Sequence, residues 1–156
     1  MINWQWKTFE QLTTEELYVI LQVRQQVFAV EQNCAYQNVD GLDKNCWHLS
    51  GWRNNDTGKN ILVAYCRVVY PSYKYQEPSI GRLLTIQQVR SSGVGKQLLT
   101  IALNRIEKQY PVQAIRISAQ LYLHNFYSQF GFEKVSEPYL EDMIPHIEML
   151  KPGGSE

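Results

Sequence analysis

Among the 156 residues, 90-RSSGVGKQLL-99 is the stretch whose residue types and spacing could do chemistry. Gly93 and Gly95 follow an apolar run, 80-IGRLLT-85, and stand where a helical pattern begins. Backbone N–H groups at 92–96 would open into one concavity at the positive end of that helix. Glycines remove the side chains that would block a close approach. Such a nest suits a pyrophosphate, and Arg90 adds a charge. The same spacing also fits a glycine turn that merely starts a helix. A P-loop fails, because Gly95-Lys96 is followed by Gln97 and Arg90 stands where the first glycine belongs. A dinucleotide fingerprint lacks its third glycine, since that position is Leu98. The pattern that remains is R/QxxGxG/A, matched by Arg90, Ser91, Ser92, Gly93, Val94 and Gly95, with Lys96 next.

A second motif, 125-NFYSQFGF-132, follows about 30 residues later. With the two in this order, the chain resembles the GNAT superfamily of N-acetyltransferases over nearly its whole length. Segments 4-WQW-6, 28-FAVEQNCAYQNVDGLD-43, 47-WHLSGW-52, 64-AYCRV-68, 80-IGR-82 and 142-DMIPHIEM-149 are similar to its ElaA branch. The resemblance implies an α/β (α+β) fold, with a mixed central sheet of about six to seven strands and about four flanking helices. It implies acetyl-CoA as co-substrate, its pyrophosphate on the 90–96 loop, and an unidentified amine as acceptor. It implies that the strand end at Leu83, Leu84 and Thr85 splays open to the acetyl-pantetheine arm. A backbone N–H near Leu84 or Thr85 would stabilise the oxyanion. Tyr127 takes the role of proton donor to the departing thiolate, and Asn125 that of a contact to the arm or phosphate.

Acetyl transfer to an amine asks for a deprotonated amine, an oxyanion site and a proton for the thiolate. A phenol, with a reference pKa near 10 against roughly 8.5 for a thiol, keeps its proton at neutral pH and can still give it up. Read from spacing alone, Leu123, Phe126, Tyr127 and Phe130 form a stripe that packs a core. Asn125, at a helix start, reads as a cap. The general base stays open among Glu31, His48 and His146, or a water relay. Glu31 opens a long aperiodic loop, and both histidines sit in strand patterns. Asp40 and Asp43 flank Gly41 as turn residues or as a site for a cationic amine. Arg67 and Arg82 pair with acids or line the acceptor site. No cluster has metal-ligand spacing.

The elements that must position these groups follow from periodicity. A strand at 2–6 leads to a helix at 13–32, opened by a Thr13/Glu16 capping box. The 31–45 segment breaks all periodicity. Strands at 47–52 and 61–70 flank a turn, and 71–79 is a proline-containing loop. Strand 80–85, helix 93–109, strand 112–118, helix 122–131 and strands 132–136 and 144–150 complete the chain. One domain, 1–151, with a flexible tail, 152–156, is expected.

Charge is balanced at 15 basic and 15 acidic residues, without basic runs, so no nucleic-acid partner is expected. No apolar run reaches the roughly 20 residues that span a bilayer, so no membrane role is expected. Three unpaired-looking cysteines suit a reduced, cytoplasmic setting. An open sheet edge allows a homodimer. The competing functions are a non-catalytic CoA-binding sensor, which would need Gly93 and Gly95 but not Tyr127, and an acyltransferase using a longer acyl-CoA.

Overall fold

The computed structural model describes residues 1–154. The end of the expected tail, 155–156, lies outside the described residues. The tail is tied in as far as Gly153, where a Cβ would overlap the Val112 carbonyl.

Among the described residues, eight strands form two four-stranded sheets. In the first, β1 (Asn3–Thr8), β2 (Cys46–Asn54), β3 (Asn60–Val69) and β4 (Ser79–Thr85) run antiparallel in chain order. In the second, β8 (Ile144–Lys151) pairs with β5 (Ile115–Gln120) along one edge. Its other edge takes β6 (Glu133–Lys134) and β7 (Tyr139–Glu141). The expected mixed sheet is thus divided. β4 and β5 start side by side, joined by the Arg116 N–H donating to the Pro78 carbonyl at 3.2 Å, and then enter different sheets.

A bulge in β4 marks where they part. Tyr65 faces Leu84 and Arg67 faces Gly81, so Arg82 and Leu83 together oppose Cys66. Arg82 takes a left-handed φ of 51° to do so. A bulge bends its strand and frees main-chain groups from the ladder, and here it opens a cleft between the sheets.

The helices cover both faces of β3, whose run 62–69, apolar but for Arg67, is buried throughout. On one face, α2 (Val94–Gln109) buries Val94, Leu98, Leu99, Ala102 and Ile106 in a core shared with Val63, Val68, Ile117 and Ile147. On the other lies α1 (Thr14–Gln25), whose Thr13 accepts from the Glu16 N–H while Glu16 returns the bond. Ile20, Val27 and Phe28 form the second core with Trp52, Leu62, Tyr65 and Leu84.

Two expected helices are reshaped. The 13–32 helix is α-helical only to Gln25; Gln26–Glu31 is a π-helical turn. The wider turn carries Phe28 and Glu31 round to the cleft side. The 122–131 helix is a 3-10 turn (Leu121–Leu123) followed by a short α3 (His124–Ser128). Bonds of Phe130 to Tyr127 and of Gly131 to Ser128 tighten its end, and Gly131, with φ 92°, turns the chain out. There are three α-helices among the described residues, one fewer than expected. β7 was not foreseen, because a three-residue strand carries no period to read. No helix of the described residues is long and apolar enough to cross a membrane.

Candidate active site

The loop before α2 takes its shape from its glycines. Gly93 caps α2 with φ 87°, in the left-handed region that favours glycine. The first intrahelical bond is Gln97 N–H to the Gly93 carbonyl, at 3.1 Å. The N–H groups of Val94, Gly95 and Lys96 therefore lack helical partners. Neither Gly93 nor Gly95 has an atom within 4 Å of where a Cβ would stand, so the concavity is open. The Val94 side chain is buried in the core, which leaves its N–H as its contribution. Ser91 is exposed with φ 67°, and the Ser92 hydroxyl is turned back to donate to the Val89 carbonyl.

Arg90 does not stand free over this nest. Its guanidinium donates to the Thr85 carbonyl, at 2.8 and 3.1 Å, and to the Glu31 carboxylate at 2.7 Å. The pairing corrects two expectations. The charge assigned to the pyrophosphate is shared with Glu31, and Glu31, a candidate base, is tied to Arg90 beside the phosphate loop.

Two cavities occupy the cleft. One, of about 430 Å³, runs from the loop along Glu31, Arg90 and Gly95 past Leu83, Leu84, Thr85 and Phe126. The other, of about 90 Å³, reaches Arg67, Lys74, Arg82, Ser118, Tyr127, Glu141 and His146. Five residues line both: Phe28, Gln32, Leu83, Gln120 and Leu123. At this junction the amides of Gln32 and Gln120 meet at 3.4 Å, spanning from the π turn to the end of β5. The main chain of β4 borders it too. Ile86 N–H donates to the Val63 carbonyl, at 3.0 Å, on the β3 side. Alternation along a strand then turns Leu84 toward β3 and Leu83 and Thr85 toward the gap. Arg90, reaching the Thr85 carbonyl from the open side, agrees with this. Of the two expected oxyanion donors, Leu84 faces the wrong way.

Tyr127 lines the smaller cavity with 6% exposure, its ring against Phe126 and Phe132. Burial pushes its phenol well above the usual range, so it keeps its proton. Asn125 is exposed and lines neither cavity. The cap position of α3 is Leu123, with no side-chain bond, so the capping role is not filled by Asn125.

His48 is sealed inside the protein with no exposure. Its Nε2–H donates to the Asp43 carbonyl at 2.8 Å, so Nδ1 must accept from the Tyr65 hydroxyl at 2.7 Å. Burial lowers its pKa and holds it neutral. It lies outside both cavities, and its role as a base is corrected to a structural one. His146 lies where a base could act. Its Nδ1–H donates to the Ile144 carbonyl at 2.7 Å, which leaves Nε2 facing the Glu141 carboxylate at 3.4 Å. Glu141 also accepts from the Ser118 hydroxyl at 3.1 Å, and Ser118 contacts the Tyr139 hydroxyl at 2.5 Å. Sequence reasoning missed Glu141, Ser118 and Lys74. Only the pairing of β5 and β7 with β8 brings the first two together.

Asp40 and Asp43 do more than turn the chain. Arg24 donates to Asp43 at 2.6 Å, and Arg67 to Asp43 at 3.0 Å and to both Asp40 oxygens at 2.6 and 2.8 Å. Arg82 reaches Asp40 at 3.2 Å. Desolvation opposes ionisation of both carboxylates, yet the guanidiniums outweigh it and hold them below the usual range. Cys46, buried beside this network, is pushed up to about 12 and stays a thiol. Among the described residues no group of three or more His, Cys, Asp or Glu could hold a metal ion.

The chain is similar to known proteins over nearly its whole length. The acetyltransferase (GNAT) domain family matches residues 54–152. The UPF0039 protein sll0451 of Synechocystis is 44% identical over 149 residues, covering 96% of this chain and 94% of that protein. Protein ElaA of Escherichia coli is 39% identical over 153 residues, 97% of each chain. A crystal structure of an acyl-CoA N-acyltransferase from Pseudomonas aeruginosa superposes with a TM-score of 0.89 at 40% identity, covering 97% of this chain and 99% of that one. Family match, full-length similarity and a cleft between splayed strands agree: the chain belongs to the GNAT acetyltransferase family, in its ElaA-like branch.

Proposed function

We propose that the chain is an acetyl-CoA-dependent N-acetyltransferase, moving an acetyl group to a primary amine by direct attack in a ternary complex. One observation carries the reading: a channel headed by the bare N–H groups of α2 meets a small polar cavity at Leu83, between the parted strands. The pyrophosphate would rest on the N–H groups at 94–96, with Ser91, Ser92 and Gly93 at the rim. The pantetheine arm would run along Leu83 and Thr85.

In the transfer, the amine nitrogen bonds to the thioester carbon and the carbon–sulfur bond breaks. One proton leaves the nitrogen and one reaches the sulfur. Main-chain N–H groups on the open side of β4, at Leu83 or Thr85, suit the oxyanion. Tyr127 keeps its proton at working pH and supplies it to the thiolate. The amine's proton passes to the Glu141–His146 pair, where Nε2 faces the carboxylate. The polar lining of the smaller cavity, with Arg82, Ser118, Glu141 and His146, suits a small polar amine. Three free cysteines agree with a reduced cytoplasmic setting.

The test is a calorimetric titration with acetyl-CoA on wild type and Gly93→Asp, followed by thiol release in the presence of amines. Wild-type binding that is lost in a folded Gly93→Asp supports the site, because the new carboxylate strains a left-handed position and repels phosphate. Absence of binding by folded wild type overturns the reading.

A further inference from the structure

The acceptor cavity has two polar walls of opposite character. On one side stand Arg82 from the β4 bulge and Lys74 from the preceding loop; on the other stand Ser118, Glu141 and His146. Behind Arg82, three guanidiniums (Arg24, Arg67, Arg82) share two carboxylates, Asp40 and Asp43, which leaves one positive charge unmatched. That charge falls on Arg82. Arg24 and Arg67 hold the acids at 2.6–3.0 Å, whereas Arg82 touches Asp40 through Nη2 alone, at 3.2 Å. The same Nη2 donates to the Asn38 carbonyl at 3.1 Å, and Nε is buried without a partner. Tyr36 backs the guanidinium, with its ring centroid 5.6 Å from Cζ, and fixes its plane.

Lys74 adds a second cation. The residue is exposed and lines the cavity, with Nζ over the Tyr75 ring, 5.5 Å from its centroid; desolvation lowers its pKa, opposed by Glu141 and aided by Arg67 and Arg82. No ion pair joins Lys74 to Glu141 among the described residues. Two unmatched cations on one wall of a small cavity make a site for an anion, and a planar guanidinium suits a carboxylate. The facing wall offers a carboxylate to an ammonium.

We propose that the acceptor is a small amino acid, its carboxylate held between Arg82 and Lys74 and its amine turned toward Glu141 and Tyr127. This rests on the acetyl-transfer reading and narrows it. A peptide or protein N-terminus carries its carboxylate too far away to bind this way.

The experiment compares the common amino acids with their amides and decarboxylated amines, by thiol release from acetyl-CoA, in wild type, Arg82→Gln and Lys74→Gln. The expected result is a kcat/KM at least about tenfold higher for the free acid than for its amide. That preference should collapse in either variant, while acetyl-CoA affinity by calorimetry stays unchanged. Lys74→Gln alters an exposed residue and serves if Arg82→Gln fails to fold. Amides or decarboxylated amines used as well as the acids by wild type overturn the inference and leave acetyl transfer standing. So does failure of every amino acid both to turn over and to bind the CoA-loaded protein by calorimetry. Loss of acetyl-CoA binding by wild type itself overturns both.

Discussion

In the proposed reaction Tyr127 would serve packing and chemistry with different atoms. Its ring fills space between Phe126 and Phe132, at centroid distances of 5.3 and 5.7 Å, while the residue borders the smaller cavity. Removing the hydroxyl alone therefore separates the two roles. Tyr127→Phe should keep the fold and the acetyl-CoA affinity and lower kcat by about a hundredfold, the scale of a positioned acid. Stopped-time thiol release beside a binding titration measures both, and unchanged kcat would remove Tyr127 from the chemistry. His48 gives the opposite lesson. Strand alternation places it opposite to Trp47 and Leu49, but alternation does not say whether that side faces a cleft or a core. Asp43, Tyr65 and Phe9 close over it. His48→Ala should lower stability and leave the acceptor's KM unchanged, because nothing of its ring reaches the cavity. A denaturation curve paired with steady-state kinetics checks this.

At the scale of elements, the first sheet depends on a close approach at Gly51. A Cβ there would stand 2.7 Å from Cζ3 of the Trp4 indole and 3.0 Å from Ile2, where β2 changes register against β3. An indole fixed in a sheet cannot yield as a flexible chain end would. Gly51→Ala should cost about 1–3 kcal/mol, the scale of overpacking, read as a lower urea midpoint. Regular elements of this kind were legible in the sequence. The apolar run 61–70, the Thr13 capping box and the glycine start of α2 are local signals, and each element formed within a few residues of its expected place. What was not legible depends on partners far away in sequence. The π turn at Gln26–Glu31 keeps a helical pattern while shifting its face. The bulge at Arg82 appears only in the register of β4 against β3. The Glu141–His146–Ser118 group requires three strands to meet at β8. Thus the glycine turn that opens α2, made from one stretch of chain, could be found beforehand, and the polar wall of the smaller cavity, assembled from five segments, could not.

Across the whole molecule, one ionic network ties α1, the 32–45 segment, β3 and β4 together through Arg24, Asp43, Arg67, Asp40 and Arg82. Arg24 and Arg67 are essentially unexposed, so water screens these pairs little. The carboxylates titrate below their unfolded values, near 3.9 for aspartate, so their contribution is complete above about pH 4 and is lost as pH falls further. His48, held neutral by burial, has the same sign at a higher onset. The unfolded chain binds its proton near 6.5 while the folded chain resists it, so stability begins to fall below that pH. Stability should therefore decline gently from about pH 6.5 and steeply below about pH 4. Asp43→Asn leaves Arg24 and Arg67 buried with one charge partner fewer and should cost about 3–5 kcal/mol at neutral pH. Having lost one of the two depressed carboxylates, it should also show a shallower acid limb. Urea midpoints of wild type and variant across this pH range test both statements. An acid limb equally steep in Asp43→Asn would mean that other carboxylates govern acid unfolding. A flattened limb would tie the acid stability of the fold to Asp43 and its two guanidinium partners, in the network whose Asp40 holds Arg82 beside the smaller cavity.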